Sequence, residues 1–261
     1  MDVKTITEKI EHYLRPATFP VGIKMLTADE ALPPKTRTPA DLGSRFATCQ
    51  TINIVRRYGW SIGLSADHHS CPLGLVALGF KPNVAYLQEG HACEGMYTAS
   101  LEAGARTEAE VPKFTLGQYA TLFVSPLKTH PFDWPDVIAV FGNSAQVMRL
   151  VQAALFQRGG YLQSSFSGRL DCADIVVKTM QTDECQLILP CTGDRMFGQT
   201  QDEEMAFSMP TSKVEAVMTG LEATHKNGIR YPVTTFMNYT AKFPAKYEAV
   251  WDIWGEQKPG K

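Results

Sequence analysis

Residues 136–160, DVIAVFGNSAQVMRLVQAALFQRGG, constrain the fold more than any other stretch of this chain. The run DVIAVFGN is apolar and rich in β-branched and aromatic side chains, which marks a strand. Ser144 follows as a helix cap, and the helix over AQVMRLVQAALFQRGG stops at a glycine pair. A strand that passes straight into a helix demands a layered arrangement, with helices covering a sheet. YATLFVSPL (119–127), PVGIKML (20–26) and ECQLILP have the same strand character.

Helices are expected in six further places. The N-terminal MDVKTITEKIEHYLRP carries Val3, Ile6, Ile10 and Leu14 at helical spacing. CQTINIVRRYG begins a helix at Cys49, CPLGLVALGF a short one closed by Gly79, and GHACEGMYTASLEAGARTEAEV one that starts near Cys93. Asp171 is positioned to cap CADIVVKTM. Thr211 or Ser212 caps TSKVEAVMTGLEATHKNG, with Glu215 behind the cap and Gly228 at the end. ADEALPPKTRTPADLGS is a proline-rich loop. The order predicts an α+β or α/β protein with a central mixed sheet covered by helices. It is expected as a single compact domain over 1–261, with an irregular aromatic tail at 231–261 that packs across the body (Tyr239, Phe243, Tyr247, Trp251, Trp254).

Composition removes several classes of function. Hydrophobic residues make up 44% of the 261 and charged residues 20%, the balance of a folded globular chain. The net charge is −2 and the longest basic pair is Arg56-Arg57, which argues against nucleic acid as a partner. No apolar run is long enough for a membrane helix, and the charged N-terminus is unlike a secretory signal, so a cytoplasmic protein is expected. In that compartment the six cysteines are buried thiols, metal ligands or reactive groups, not a disulfide framework.

Cys49, Cys71 and Cys93 follow one another at intervals of 22 residues, each where a loop gives way to a helix. Free N–H groups and the dipole at a helix start favour a thiolate, the form that binds metals. Cys191 joins them because it follows the strand LILP and opens the turn CTGDR, where α/β proteins place ligands. Cys172 and Cys185 lie in apolar segments and read as core thiols. No C-x-x-C or C-x-x-C-H occurs, so structural zinc fingers and covalent haem have no signature here. His68 and His69 beside Cys71, and His91 beside Cys93, are candidate ligands or proton carriers. His12, His130 and His225 read as surface residues.

Other signals carry less chemistry. FGNSAQ could hold an anion at its helix start, and FSGR (166–169) with Arg158 and Arg195 could bind an anionic ligand, though turns and surface arginines explain both. Asp202-Glu203-Glu204 reads as a helix start or a solvated face. The sequence holds no nucleotide fingerprint and no serine-hydrolase elbow.

CQTINIVRRYG, HHSCPLGLVALGF, SPLKTHPFDWPDVIAVFGNSAQVMRLVQAALFQRGG and LPCTGDRMFGQTQDEEMAFSMP occur in an order that resembles a prokaryotic family, domain of unknown function 169, widespread in archaea and anaerobic bacteria. The resemblance spans roughly residues 10 to 230. It matches Cys49, Cys71 and Cys191, with Gly193 and Arg195 completing the turn. Many relatives carry a second cysteine after that glycine; here Asp194 stands in its place. The resemblance implies no activity, but it selects the same cysteines and favours a shared site.

The expected site therefore gathers Cys49, Cys71 and Cys191, with Cys93 or His91 as a fourth ligand, around an iron–sulfur cluster. An open iron position would serve substrate, redox or sulfur chemistry. A zinc- or small-ligand-binding structural or sensing module is the alternative. A third reading is an enzyme with a cysteine nucleophile, Cys71 paired with His68 or His69. The partner is a small-molecule substrate or a redox partner, without nucleic acid or membrane, and the oligomeric state stays open.

Overall fold

The computed structural model describes residues 1–233 and 241–255. Six strands form one sheet: β1 (Val21–Leu26), β2 (Ile62–Ser65), β3 (Thr121–Pro126), β4 (Val137–Asn143), β5 (Gln186–Ile188) and β6 (Glu204–Pro210), in the order β2-β3-β1-β4-β6-β5. All five pairings are antiparallel, so of the two expected classes the α+β fold is realised, and the sheet expected to be mixed is antiparallel among the described residues. The central helices follow as α1 (Val3–Leu14), α2 (Thr48–Tyr58), α3 (Pro72–Ala77), α4 (Ala85–Gln88), α5 (Leu101–Glu110) and α6 (Ser144–Leu155). A further helical stretch runs as α7 (Asp171–Ala173), a π-helical turn (Asp174–Lys178) and α8 (Thr179–Thr182). It is followed by α9 (Thr211–Lys226) and α10 (Ala245–Trp254).

β4 explains why its sequence lacks alternation. Val137, Ala139 and Phe141 pack in one core with α2 and Leu170–Val177, while Ile138 and Val140 pack in another with α1, α6 and α9. A strand with apolar partners on both sides has no position for a polar residue. β6 does the same with Ala206 on one side and Phe207 and Met209 on the other. Where Ser208 turns toward the helical layer, its hydroxyl meets that of Thr179 at 2.7 Å.

Several boundaries differ from the sequence reading. Asn143, not Ser144, caps α6: its Oδ1 accepts the Gln146 N–H at 3.0 Å, and Gln146 Oε1 accepts the Asn143 N–H at 2.8 Å. A Cβ on Gly142 would stand 2.6 Å from that same Oε1, so the cap needs glycine there. Leu170 rather than Asp171 holds the cap position of α7, and Pro210 that of α9. The helix expected from Cys93 begins at Leu101, capped by Ser100, because Gly90 and Gly95 take positive φ and break the chain into turns. β2 was hidden by its length of four residues and β6 by the acidic lead into it.

The chain divides into two compact units, Met1–Tyr231 and Pro232–Lys261. In the second, expected to be irregular, α10 forms a ten-residue helix on which Trp251 and Trp254 meet edge to face at 5.5 Å. Phe243, Tyr247 and Trp254 are exposed, and Tyr239 lies outside the described residues. Among the described residues no helix is long and apolar enough to cross a membrane.

Candidate functional site

Four helix starts meet on one side of the sheet, and each brings a cysteine. Cys49 is the second residue of α2, and Cys172 the second of α7. Cys71 occupies the cap of α3, its Sγ accepting the Gly74 N–H at 3.5 Å, with Pro72 in the first turn where no N–H is needed. Cys191 does the same for the next turn, its Sγ accepting the Asp194 N–H at 3.4 Å. All four line a single cavity of about 430 Å³ with Thr48, Gln50, Tyr97, Arg169, Asp171 and Phe197 on its wall. Cys172 lies within electrostatic reach of the other three thiols.

Three of the four expected cysteines are thus brought together, and the fourth is exchanged. Cys93 does not line this cavity; it is fully buried with its Sγ 3.8 Å from Glu108 Oε1. Cys172 takes its place on the wall while also lying in the core, as the sequence reading expected of it and of Cys185. The apolar CADIVVKTM hid Cys172, because its apolar face packs on the sheet while the helix start faces the cavity. No disulfide forms among the six cysteines.

The histidines stay outside the wall. His69 is buried and braces α3: its Nδ1 accepts the Cys71 backbone N–H at 3.0 Å and its Nε2 lies 2.9 Å from Thr48 Oγ1. A Cβ on Gly74 would approach the ring to 2.7 Å, so this close packing needs glycine. With both ring nitrogens engaged and burial holding its pKa down at about 4, His69 is not placed to take the Cys71 thiol proton. His68 hydrogen-bonds with Ser65, and His91 stacks on Tyr86 at the surface.

Beneath Cys191 lies a polar network that the sequence did not announce. Asp171 and Asp194 are buried side by side, and burial and mutual repulsion hold the Asp171 carboxyl well above the usual carboxylate range. Asp194 is anchored by donors: Asn53 Nδ2 at 2.7 Å and Thr200 Oγ1 at 2.9 Å. Asn53 Oδ1 in turn accepts from Arg56 Nε at 2.6 Å, and the fully buried Arg56 forms an ion pair with Glu204 at 2.5 Å. Glu204, expected on a solvated face, is therefore an inward anchor. A Cβ on Gly198 would fall 2.1 Å from Asp194 Oδ1, so the network also depends on a glycine. Arg195 instead donates to the Gln201 carbonyl at the surface.

Three of the four thiols have their pKa pushed up in this setting. Burial, then the charges of Asp194 and Asp171, push the Cys49 thiol far up; burial and Asp171 do the same to Cys172, and burial puts Cys191 at about 12. Any metal bound here has to displace those protons. Among the described residues, no three His, Cys, Asp or Glu side chains form a group placed to hold a single metal ion.

A family model described as "Uncharacterised ArCR" matches residues 9–220. The chain belongs to domain of unknown function 169. All four cavity cysteines fall inside the span that matches the family. A relative within reach is an uncharacterised protein of Methanocaldococcus jannaschii, 28% identical over 231 residues, 85% of this chain and 96% of its own length. No solved structure matches.

Proposed function

We propose that this member of domain of unknown function 169 is a cysteine-ligated iron–sulfur protein, with Cys49, Cys71, Cys172 and Cys191 as the ligand set. The observation that carries the reading is the convergence of four thiols, from segments as far apart as residues 49 and 191, on one cavity of about 430 Å³. A single zinc draws its thiolates to about 2.3 Å from one point. The cavity of about 430 Å³, with no three side chains among the described residues placed to hold one ion, suits a larger, polynuclear group better than a lone ion. A bound cluster would supply electron transfer if all four cysteines ligate it, or an open iron position if one does not. The protein's own contribution is to fix the sulfurs at helix starts and to set the buried Asp171 carboxyl, its pKa raised by burial, beside Cys191. A cytoplasmic setting, where six unpaired thiols stay reduced, accords with this reading.

Anaerobic purification followed by an absorption spectrum, with iron, zinc and acid-labile sulfide measured on one sample, tests the proposal. A broad thiolate-to-iron band with matched iron and sulfide is expected. Single Cys-to-Ser changes at 49, 71, 172 and 191 should each lower cluster content, while Cys93→Ser should leave it unchanged. Colourless protein with stoichiometric zinc would favour a structural or sensing role, and no metal would overturn a shared ligand site.

A further inference from the structure

Arg169 was read as one of several surface arginines, yet its side chain is 1% exposed. Its Nη2 forms an ion pair with Glu108 Oε1 at 2.5 Å, yet Nε, Nη1 and Nη2 are all buried without a hydrogen-bond acceptor among the described residues. A permanently charged group buried with unused donors is costly unless something fills them. Arg169 stands in the wall between the thiol cavity and a second one of about 420 Å³, and lines both. Tyr97, 5.7 Å from the guanidinium carbon, lines both as well.

The second cavity has the size and mixed lining of a small-molecule site. Phe166, Val111 and Leu170 give it apolar surface, and Thr107 and Ser167 add hydroxyls. Arg106 and Lys178 bring cations to its wall, against Glu110 and Asp174. Those two acids, with Glu108 behind Arg169, would repel a phosphate dianion. A monoanion meets less repulsion, and a carboxylate offers the acceptor oxygens that a guanidinium fork fits.

We propose that this cavity binds a small organic carboxylate, its oxygens accepting from Nε and Nη1 of Arg169 and its apolar body lying against Tyr97 and Phe166. The site adjoins the thiol cavity but does not depend on a cluster being there. Glu108 acts as a positioning residue that holds the guanidinium in the dividing wall.

The test is isothermal titration with ligand-observed NMR, using phenylacetate, its neutral amide, acetate and inorganic phosphate on the full-length protein. Phenylacetate should bind, the amide at least tenfold more weakly, and phosphate should not displace it. Phe166→Ala changes an exposed side chain and should weaken phenylacetate several-fold while leaving acetate unaffected. The double variant Glu108→Gln/Arg169→Gln removes both members of the buried pair and should abolish carboxylate binding. Equal binding of acid and amide, preference for phosphate, or no binding of either carboxylate would overturn the proposal, and so would indifference to Phe166→Ala. The acid–amide comparison on the unaltered protein decides the matter even if the double variant fails to fold. Iron and sulfide measured on the same samples report on the cluster separately, so either reading can fail alone.

Discussion

The two faces of the sheet are built by different rules. Against α1, α6 and α9, side chains such as Ile138, Val140, Leu150, Phe207 and Met218 interlock, and the polar groups buried with them, Thr7, Gln146, Arg149 and Thr224, bond mostly to backbone carbonyls. Against α2 and the α7 region the strands are equally apolar, but the layer beyond them buries Asn53, Arg56, Asp171, Asp194 and Thr200 around the thiols. Apolar packing needs only volume and spacing, and tolerates exchange. The polar layer needs particular partners at particular distances, because each unpaired member is left without water. One face holds the molecule together and the other spends part of that stability on a site.

The largest effect should come from breaking the polar layer. Arg56→Ala removes the buried cation that joins Asn53 to Glu204, leaving Glu204 with Arg57 and the Gln201 N–H, and should cost about 3–5 kcal/mol of unfolding free energy in urea titration. A cost below about 1 kcal/mol would mean that water serves this layer as well as Arg56 does. On the opposite face Leu150→Ala should cost about 2–4 kcal/mol by leaving a cavity. The rate at which the cavity thiols react with an alkylating agent should stay the same under native conditions. If that rate rose, the two faces would not be separable.

A smaller effect concerns acid stability. His130, read from sequence as a surface residue, instead packs on Phe123 with Nδ1 2.7 Å from Ser125 Oγ, and burial holds its pKa down at about 4. The unfolded chain binds its proton near 6.5, so His130 favours the folded state fully above that pH, and the benefit is lost as pH falls toward 4. His69, on the site face, follows the same sign. His130→Phe should therefore flatten the loss between pH 6.5 and 4 by on the order of 1 kcal/mol; an unchanged slope would assign the acid limb to His69 and the site face. Smallest of all, Phe197→Ala alters an exposed side chain at the cavity mouth. Stability should move by less than about 0.5 kcal/mol while alkylation of the cavity thiols speeds several-fold, and no change in rate would show that Phe197 does not screen them.

The apolar face was the legible one. Val3, Ile6, Ile10 and Leu14 announce α1, and all of β4 and α6 can be traced in DVIAVFGNSAQVMRLVQAAL, because burial leaves a periodic record along the chain. Cys49 and Cys71 could be singled out since each stands where a helix begins, and Cys191 because it follows an apolar strand and opens a turn. Cys172 could not, because the apolar helix behind it has the same sequence whether or not its first turn opens on a cavity. Arg56, Asn53, Asp194 and Glu204 belong to one network only after α2 meets the segment 191–204 in space, and Arg169 is buried only because Glu108 waits for it. Contacts that depend on two distant segments leave no periodicity in either one.

The dispersal of the cavity cysteines also fixes an order of events. A compact C-x-x-C motif can seize metal while the rest of the chain is still being made. Here the last thiol emerges 142 residues after the first, and β4, α6 and half the sheet must be in place before the four can face one another. If these sulfurs hold a cluster as proposed, it would enter a chain whose fold has already brought them together, past the exposed Tyr97 and Phe197 that line the cavity. On that reading, newly made chains would pass through a folded stage before loading, and a donor would have to hand its cargo to a folded surface instead of a nascent strand.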